Sequence, residues 1–234
     1  MAKLTIQRIL ADLRTQVSPD QVAGMDRFLK EPVPALGLTA PQLRAYAAGL
    51  YRELHRWPSA QRNRLCTQLW QCGYHEGGLL VAYLYRRFAR SCGSEEFLLF
   101  ASWIARHATT WAHVDSVATW LLAASIANVP ALAAELLPWT ASPNWAVRRA
   151  AAVSLIYEAK HGRHLAAILE VARLLERDEH DLVRKGVGWL LKEAYVQHPR
   201  EIVAFLTATN FPRLVLRYAA EKMTPRHRAA VLAK

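Results

Sequence analysis

The chain has 234 residues, which is long enough to bury a sizeable hydrophobic core in one large domain or two small ones. Hydrophobic residues make up 53% of it, and this excludes a disordered chain. There are 30 Lys and Arg residues against 19 Asp and Glu, so the net charge is +11, and the excess is spread over both halves of the chain. An evenly basic folded chain favours an anionic partner, most often nucleic acid.

The cysteines and the uncharged segments indicate a cytoplasmic protein. Cys66, Cys72 and Cys92 lack the paired spacing of a zinc site and are too few for a disulfide framework, so they fit a reducing compartment. The first residues do not form a signal-peptide core, because charges interrupt the apolar stretch. The longest uncharged run, 116–134, contains Pro130, which predicts two buried helices and a turn rather than a membrane span.

Apolar spacing and proline positions predict helices along the whole chain. The first apolar face runs from Leu4 to Leu13 with spacings of three and four residues. Prolines mark further helix starts at Pro19, Pro41, Pro130, Pro143, Pro199, Pro212 and Pro225. No segment shows strand alternation between hairpin turns. The sequence therefore predicts an all-α fold of about a dozen helices, roughly 10 to 18 residues each, in a single domain over 1–234.

Four similar segments in the C-terminal half indicate a repeated pair of helices. Aligning them places four residues at equivalent positions, 34, 36 and 32 residues apart: Asp115, Arg149, Lys185 and Arg217. Helix pairs of this length cannot bury their apolar faces alone and must stack into a solenoid. We expect a C-shaped, HEAT-like α-solenoid whose second helices line a concave basic groove. The N-terminal half does not reveal the phase of its repeats.

The equivalent helices carry tryptophans, cations and one carboxylate on a shared face. Trp111 and Asp115 are four residues apart, as are Trp145 and Arg149. The next repeat continues the stripe with Lys185, Trp189 and Lys192. Basic side chains bind phosphates and indoles contact sugars or bases, so this stripe favours a nucleic-acid surface. A carboxylate repels phosphate, and Asp115 therefore needs another explanation.

Structural interpretations remain open for the same residues. Asp115 fits a helix cap or an ion pair, and Arg148 and Arg149 fit a solvated surface. Core packing is the usual role of a tryptophan, and it is the assignment for Trp70, Trp103, Trp120 and Trp139. Trp111 and Trp189 differ because each shares its helical face with a charged residue.

Four segments, in this order, carry a resemblance to a known family: Leu36–Arg44, Trp111–Ser116, Trp139–Ala151 and Gly188–Glu193. In these segments the chain resembles the AlkD-type DNA alkylation repair glycosylases of bacteria and archaea, which are built from HEAT-like repeats. The resemblance extends over about residues 5–225. Each segment is weakly specific by itself, and the ordered set is more specific.

The resemblance implies an activity and a set of site residues. It implies excision of positively charged N3- or N7-alkylated purines from double-stranded DNA, by a cytoplasmic monomer without metal or other cofactor. Asp115 would be the catalytic carboxylate, Trp111 and Trp189 would flank the lesion, and Arg149 would grip phosphate. The basic stripe adds further candidate DNA-binding residues: Arg148, Lys185, Lys192 and Arg217. The sequence leaves open whether the lesion is N3-methyladenine, N7-methylguanine or a bulky adduct.

Two other functions are compatible with the same fold. One is a binder of damaged or branched DNA without catalysis, against which the presence of Asp115 argues. The other is a helical-repeat scaffold for an acidic protein, against which the mixture of tryptophans and cations argues.

Overall fold

The structure, a computed structural model, describes residues 4–17, 21–22, 24–25, 29 and 33–233. Within these ranges the chain forms α-helices and short 3₁₀ or π segments, without a strand. The α-helices are α1 (Ile6–Arg14), α2 (Ala40–Leu54), α3 (Ser59–Trp70), α4 (His75–Tyr85), α5 (Ser94–His107), α6 (Trp111–Val117), α7 (Ala123–Asn128), α8 (Trp145–Val153), α9 (Ile156–Lys160), α10 (Leu165–Leu174), α11 (Asp181–Gln197), α12 (Pro199–Ala208), α13 (Arg213–Ala219) and α14 (Pro225–Leu232).

The all-α prediction is confirmed, and most of the proline marks coincide with helix starts. Pro199 and Pro225 occupy first helical turns, Pro212 directly precedes α13, and Pro130 opens a 3₁₀ segment. The predicted start at Pro19 lies outside the described residues. Several helices are shorter than predicted because breaks such as the turn at 154–155 divide helices that the apolar pattern joins.

Six helices lie side by side in one layer and form the repeated unit of a helical-repeat solenoid. Each contacts the next, and they are α2, α4, α6, α8, α11 and α13. Their first residues, at 40, 75, 111, 145, 181 and 213, are 35, 36, 34, 36 and 32 residues apart. The repeat therefore extends into the N-terminal half, where the sequence did not reveal its phase. The helices α7 and α9 continue α6 and α8, and the remaining helices pack behind this layer and bury its apolar face.

The third helix of the layer leads into the longest uncharged run of the chain, residues 116–134. The helix α6 continues through a π turn at Ala118–Leu122 into α7, and the chain then enters a 3₁₀ segment at Pro130. The predicted helix and turn are therefore present over residues 116–134, but the second predicted helix is a 3₁₀ segment that is only partly buried. Among the described residues, no helix is long and apolar enough to cross a membrane.

A buried carboxylate connects the start of α2 to α4. Glu76 is fully buried and accepts hydrogen bonds from the backbone N–H groups of Leu36, Gly37 and Leu38, at 2.7 to 3.2 Å. Bonds from several N–H groups offset the cost of burying the charge. The loop that opens α2 is thereby held against the next helix of the layer.

Two stacked histidines lie beside this carboxylate, between α4 and α6. The rings of His75 and His113 are 4.4 Å apart, and both side chains are buried. Nε2 of His113 donates to the backbone oxygen of His75 at 2.8 Å, and its Nδ1 accepts from the Thr109 N–H. This pattern requires the His113 ring to be neutral. Burial lowers the pKa of each of the two histidines to about 4.

Acid should therefore destabilise the fold through this histidine pair. Both pKa values are lower in the folded chain than the ordinary 6.5, so the unfolded chain binds protons first as the pH falls. We expect the free energy of unfolding, measured with urea, to decline between about pH 6.5 and pH 4. The variant His75→Gln/His113→Gln should lose part of this pH dependence, whereas His55→Gln, at an exposed histidine, should keep it. If the free energy of unfolding changed with pH equally in the double variant and the parent, the histidine pair would not be the source of the acid sensitivity.

Candidate active site

One cavity of about 600 Å³ opens between α6, α8, α11 and α13. Six residues predicted from the sequence line it: Trp111, Asp115, Arg149, Lys185, Trp189 and Lys192. They come from three successive repeats, so the cavity forms only when the helices of the layer pack together. Sequence reasoning missed its other lining residues: Leu29, His180, Asp181, Leu182 and Tyr218.

Asp115 and Arg149 form a bidentate ion pair at the wall of this cavity. The Arg149 Nε donates to Asp115 Oδ1 at 2.8 Å, and Nη2 donates to Oδ2 at 2.8 Å. Arg149 is only 6% exposed, whereas the Asp115 side chain keeps 15% of its surface accessible. A planar guanidinium that bonds both oxygens fixes the plane of the carboxylate. The other lone pairs of Asp115 stay available to a group in the cavity.

This geometry favours a role for Arg149 other than the predicted phosphate contact. Its guanidinium is buried and already bonded to the Asp115 carboxylate, so a phosphate would have to compete with that pair. Its third group, Nη1, donates to the Leu182 carbonyl at the start of α11. Arg149 therefore holds Asp115 in place and connects α6, α8 and α11. Its neighbour Gly186 makes room for this, because a Cβ there would lie 3.3 Å from Arg149 Nη1.

Aromatic rings form the other walls of the cavity. Trp111 opens α6, one turn before Asp115, and Trp189 lies on α11; both indoles are half-buried. Tyr218 of α13 adds a third ring, which the sequence did not single out. Its backbone approaches α11 closely, because a Cβ on Gly188 would lie only 2.5 Å from Tyr218 Cβ. Glycine at 188 is thus what allows α13 to bring Tyr218 to the site.

His180 is the N-cap residue of α11. Its ring stacks on Trp145 at a centroid distance of 4.9 Å with 5° between the planes, and its Nδ1 accepts from the Leu182 N–H. The side chain therefore caps the helix that provides Lys185 and Trp189. Trp145 lies on the predicted stripe but contacts the cavity only indirectly, because its indole supports His180 at the rim.

The predicted basic residues differ in their position at the cavity and in their ion-pair partners. Lys185 lines the cavity, and Lys192 lines it while pairing with Glu221 at 2.7 Å. Arg217 is exposed on α13, next to the cavity lining. Arg148, also predicted to bind DNA, lies outside this lining and pairs with Asp178 at 2.5 Å. Arg148 Nη1 also donates to the Ser142 and Pro143 carbonyls, so it holds a loop together.

The cavity therefore combines a fixed carboxylate, aromatic walls and cations at its edge. Such a carboxylate can stabilise a positive charge that develops beside it and can orient a water molecule. Indole and phenol faces favour a cationic guest. Lys185 and Lys192 place positive charge at the edge of the cavity, where it favours an anionic group.

Comparison with known proteins gives a consistent family assignment. The family model described as DNA alkylation repair enzyme matches residues 9–223. Among solved structures, a predicted DNA alkylation repair enzyme from Enterococcus faecalis is similar, with a TM-score of 0.82 and 18% identity over 89% of this chain and 97% of that one. The structure of smu.31 from Streptococcus mutans UA159 is similar at a TM-score of 0.57 and 15% identity, over 78% and 98% of the two chains. No curated protein shows a significant match.

The two structural matches, at these identities, support the fold alone. The family model is a stronger finding, because it covers most of the chain and includes every residue of the cavity. The chain belongs to the DNA alkylation repair enzyme family.

Proposed function

We propose that this protein is a monofunctional DNA glycosylase that removes positively charged N3- or N7-alkylated purines from double-stranded DNA. The observation that carries the proposal is Asp115, a carboxylate held by Arg149 in a cavity whose other charged edge residues include Lys185 and Lys192. The protein's role in repair of alkylated DNA follows from its family, and the cavity suggests which reaction serves that role.

The chemistry of an alkylated purine suits this cavity. Alkylation at N3 or N7 places a positive charge on the base, so the base leaves as a neutral molecule when the bond between C1′ and nitrogen breaks. The bonding electrons go to the base, and positive charge develops on the deoxyribose. Asp115 stabilises that charge and orients a water molecule for attack on C1′. The water loses a proton to Asp115 or to solvent, which leaves an abasic site.

The neighbouring residues act on the substrate without a covalent step. Trp111 and Trp189 lie beside the sugar and the lesion, and their faces favour its cationic form over a neutral base. Lys185, Lys192 and Arg217 contact phosphates, and Arg149 positions Asp115. Such an enzyme would act as a monomer on chromosomal DNA in the cytoplasm, and these residues require no cofactor.

A base-release assay tests the proposal directly. Excess protein is incubated with duplexes that carry N7-methylguanine, N3-methyladenine or a bulky N7 adduct, and released bases are identified by mass spectrometry. We expect free alkylpurine and one abasic site per base released, with unmodified duplex left intact. Binding to all duplexes without release of any base would instead support a non-catalytic DNA binder. A protein that neither binds duplex DNA nor releases a base would support the scaffold function.

A further inference from the structure

A second group of basic and aromatic side chains lies in the segments that directly follow three helices of the layer, α4, α6 and α8. We call it the Trp120 cluster, and it consists of Arg86, Arg90, Trp120 and Tyr157. These residues surround a cavity of about 370 Å³, separate from the one that contains Asp115. They come from three adjacent repeats.

The aromatic rings of the cluster are open to the cavity. Trp120, assigned to the core from the sequence, packs against the core from the π turn but is only half-buried. The Tyr83 ring packs against it at a centroid distance of 5.1 Å, and the Arg86 guanidinium lies 5.1 Å from its centroid. Tyr157 is 43% exposed, and one side of its ring packs against His161 at a centroid distance of 4.2 Å.

The charge of the cluster is uncompensated. Arg86 and Arg90 are exposed, and neither forms an ion pair within the described part of the chain. No Asp or Glu lines this cavity among the described residues. The carboxylate next to Tyr157 in the chain, Glu158, is buried and bonded by Arg163. Two free guanidinium groups beside aromatic faces fit a nucleic-acid backbone.

The position of the cluster relative to Asp115 indicates which strand it contacts. Asp115 and Ala123, which lines the second cavity, are eight residues apart on one continuous helix, or about 12 Å at 1.5 Å per residue. The minor groove of B-DNA is about 6 Å wide between the surfaces of its two backbones, and a phosphate radius on each side brings the backbone centres to roughly 12 Å, so this separation carries the protein from one strand to the other. C1′ of a nucleotide borders the minor groove, whose far edge is the backbone of the opposite strand.

We propose that the Trp120 cluster binds the phosphate backbone of the strand opposite the lesion. This inference rests on the proposed function, because Asp115 must lie at the lesion sugar for the cluster to reach the other strand. Arg86 and Arg90 contact phosphates, while Trp120 and Tyr157 contact the sugars between them. The duplex is thereby gripped on its intact strand while the lesion strand lies at Asp115.

The variant Arg86→Ala/Arg90→Ala tests the contact by equilibrium binding. The probe is a duplex with a tetrahydrofuran abasic site, which needs no catalysis and fixes the register of the lesion. We expect affinity near 0.1 M salt to fall roughly 10- to 100-fold, and the log–log salt slope to shrink by about 2, because each phosphate contact contributes about 0.9. The matched control, Arg64→Ala/Arg200→Ala, removes two exposed arginines from α3 and α12, behind the layer. It should change the slope much less.

Neutral methylphosphonate linkages, placed in one strand at a time, identify the strand that the Trp120 cluster contacts. Placed in the opposite strand, they should weaken binding by the parent but have little further effect on Arg86→Ala/Arg90→Ala, because the same contact is already lost. Placed beside the lesion in its own strand, they should weaken both proteins equally. The proposal would be overturned if Arg86→Ala/Arg90→Ala kept the salt slope of the parent. It would also be overturned if the variant lost its sensitivity to methylphosphonates in the lesion strand but not to those in the opposite strand. A parent that shows the expected strand contact but releases no alkylpurine would contradict the glycosylase function alone.

Discussion

Asp115→Asn should separate DNA binding from base release. We expect single-turnover release of N7-methylguanine to fall by roughly 10- to 1000-fold, the range for loss of one electrostatic or general-base contribution. Duplex binding should stay equal or become slightly tighter, because a negative charge leaves a basic groove and the charge of Arg149 is no longer balanced. Release need not vanish, since an alkylated purine is already a good leaving group. The measurement is released base at saturating protein, beside a binding curve on the same duplex.

The cavity offers a matched control for this substitution. Asp181 also lines it, but its side chain is 68% exposed and lies 3.5 Å from Arg184. Asp181→Asn removes the same charge from the same cavity without touching the carboxylate that Arg149 holds. We expect release at the parental rate. If Asp115→Asn also releases base at that rate while binding normally, Asp115 is structural and the catalytic assignment fails.

Arg149→Ala should lower both stability and the rate of release. Removing one partner of a buried pair leaves the other charge uncompensated, which costs about 3 to 5 kcal/mol, and the residual exposure of Asp115 places the expected loss near the lower value, about 3 kcal/mol. The Leu182 carbonyl also loses its donor. Asp115 then adopts several orientations, so release should fall by roughly 10- to 100-fold, the scale for misplacing a catalytic group. Urea unfolding and single-turnover release measure the two effects.

A double-mutant cycle distinguishes positioning from phosphate binding. If Arg149 acts through Asp115, Arg149→Ala should slow the parent strongly but should have little further effect on Asp115→Asn. Arg149→Lys should recover stability only in part, because an ammonium cannot bond both oxygens in one plane. The neighbouring Arg148→Ala is the control: its partner is Asp178, so it should lower stability but leave release unchanged. A large fall in duplex affinity for Arg149→Ala, with additive effects on release, would restore the phosphate-binding role.

The helices and their repetition could be predicted because both signals are local. Apolar spacing of three and four residues, together with proline at helix starts, depends on a few neighbouring positions. The spacing of 34 and 36 residues then showed that Asp115, Arg149 and Lys185 occupy equivalent places. The pairing of Trp111 with Asp115 on one face needed only the period of a helix.

What each of these side chains touches was decided by the tertiary structure. The sequence made both Arg148 and Arg149 candidates for phosphate binding, yet adjacent residues of a helix point in directions about 100° apart. Arg149 consequently reaches back to Asp115, whereas Arg148 reaches Asp178 in the loop between α10 and α11. Tyr218 enters the cavity only because Gly188 lets α13 approach α11. Such contacts join residues about 30 positions apart and depend on how one helix is rotated and shifted against the next, which the pattern within each helix does not specify.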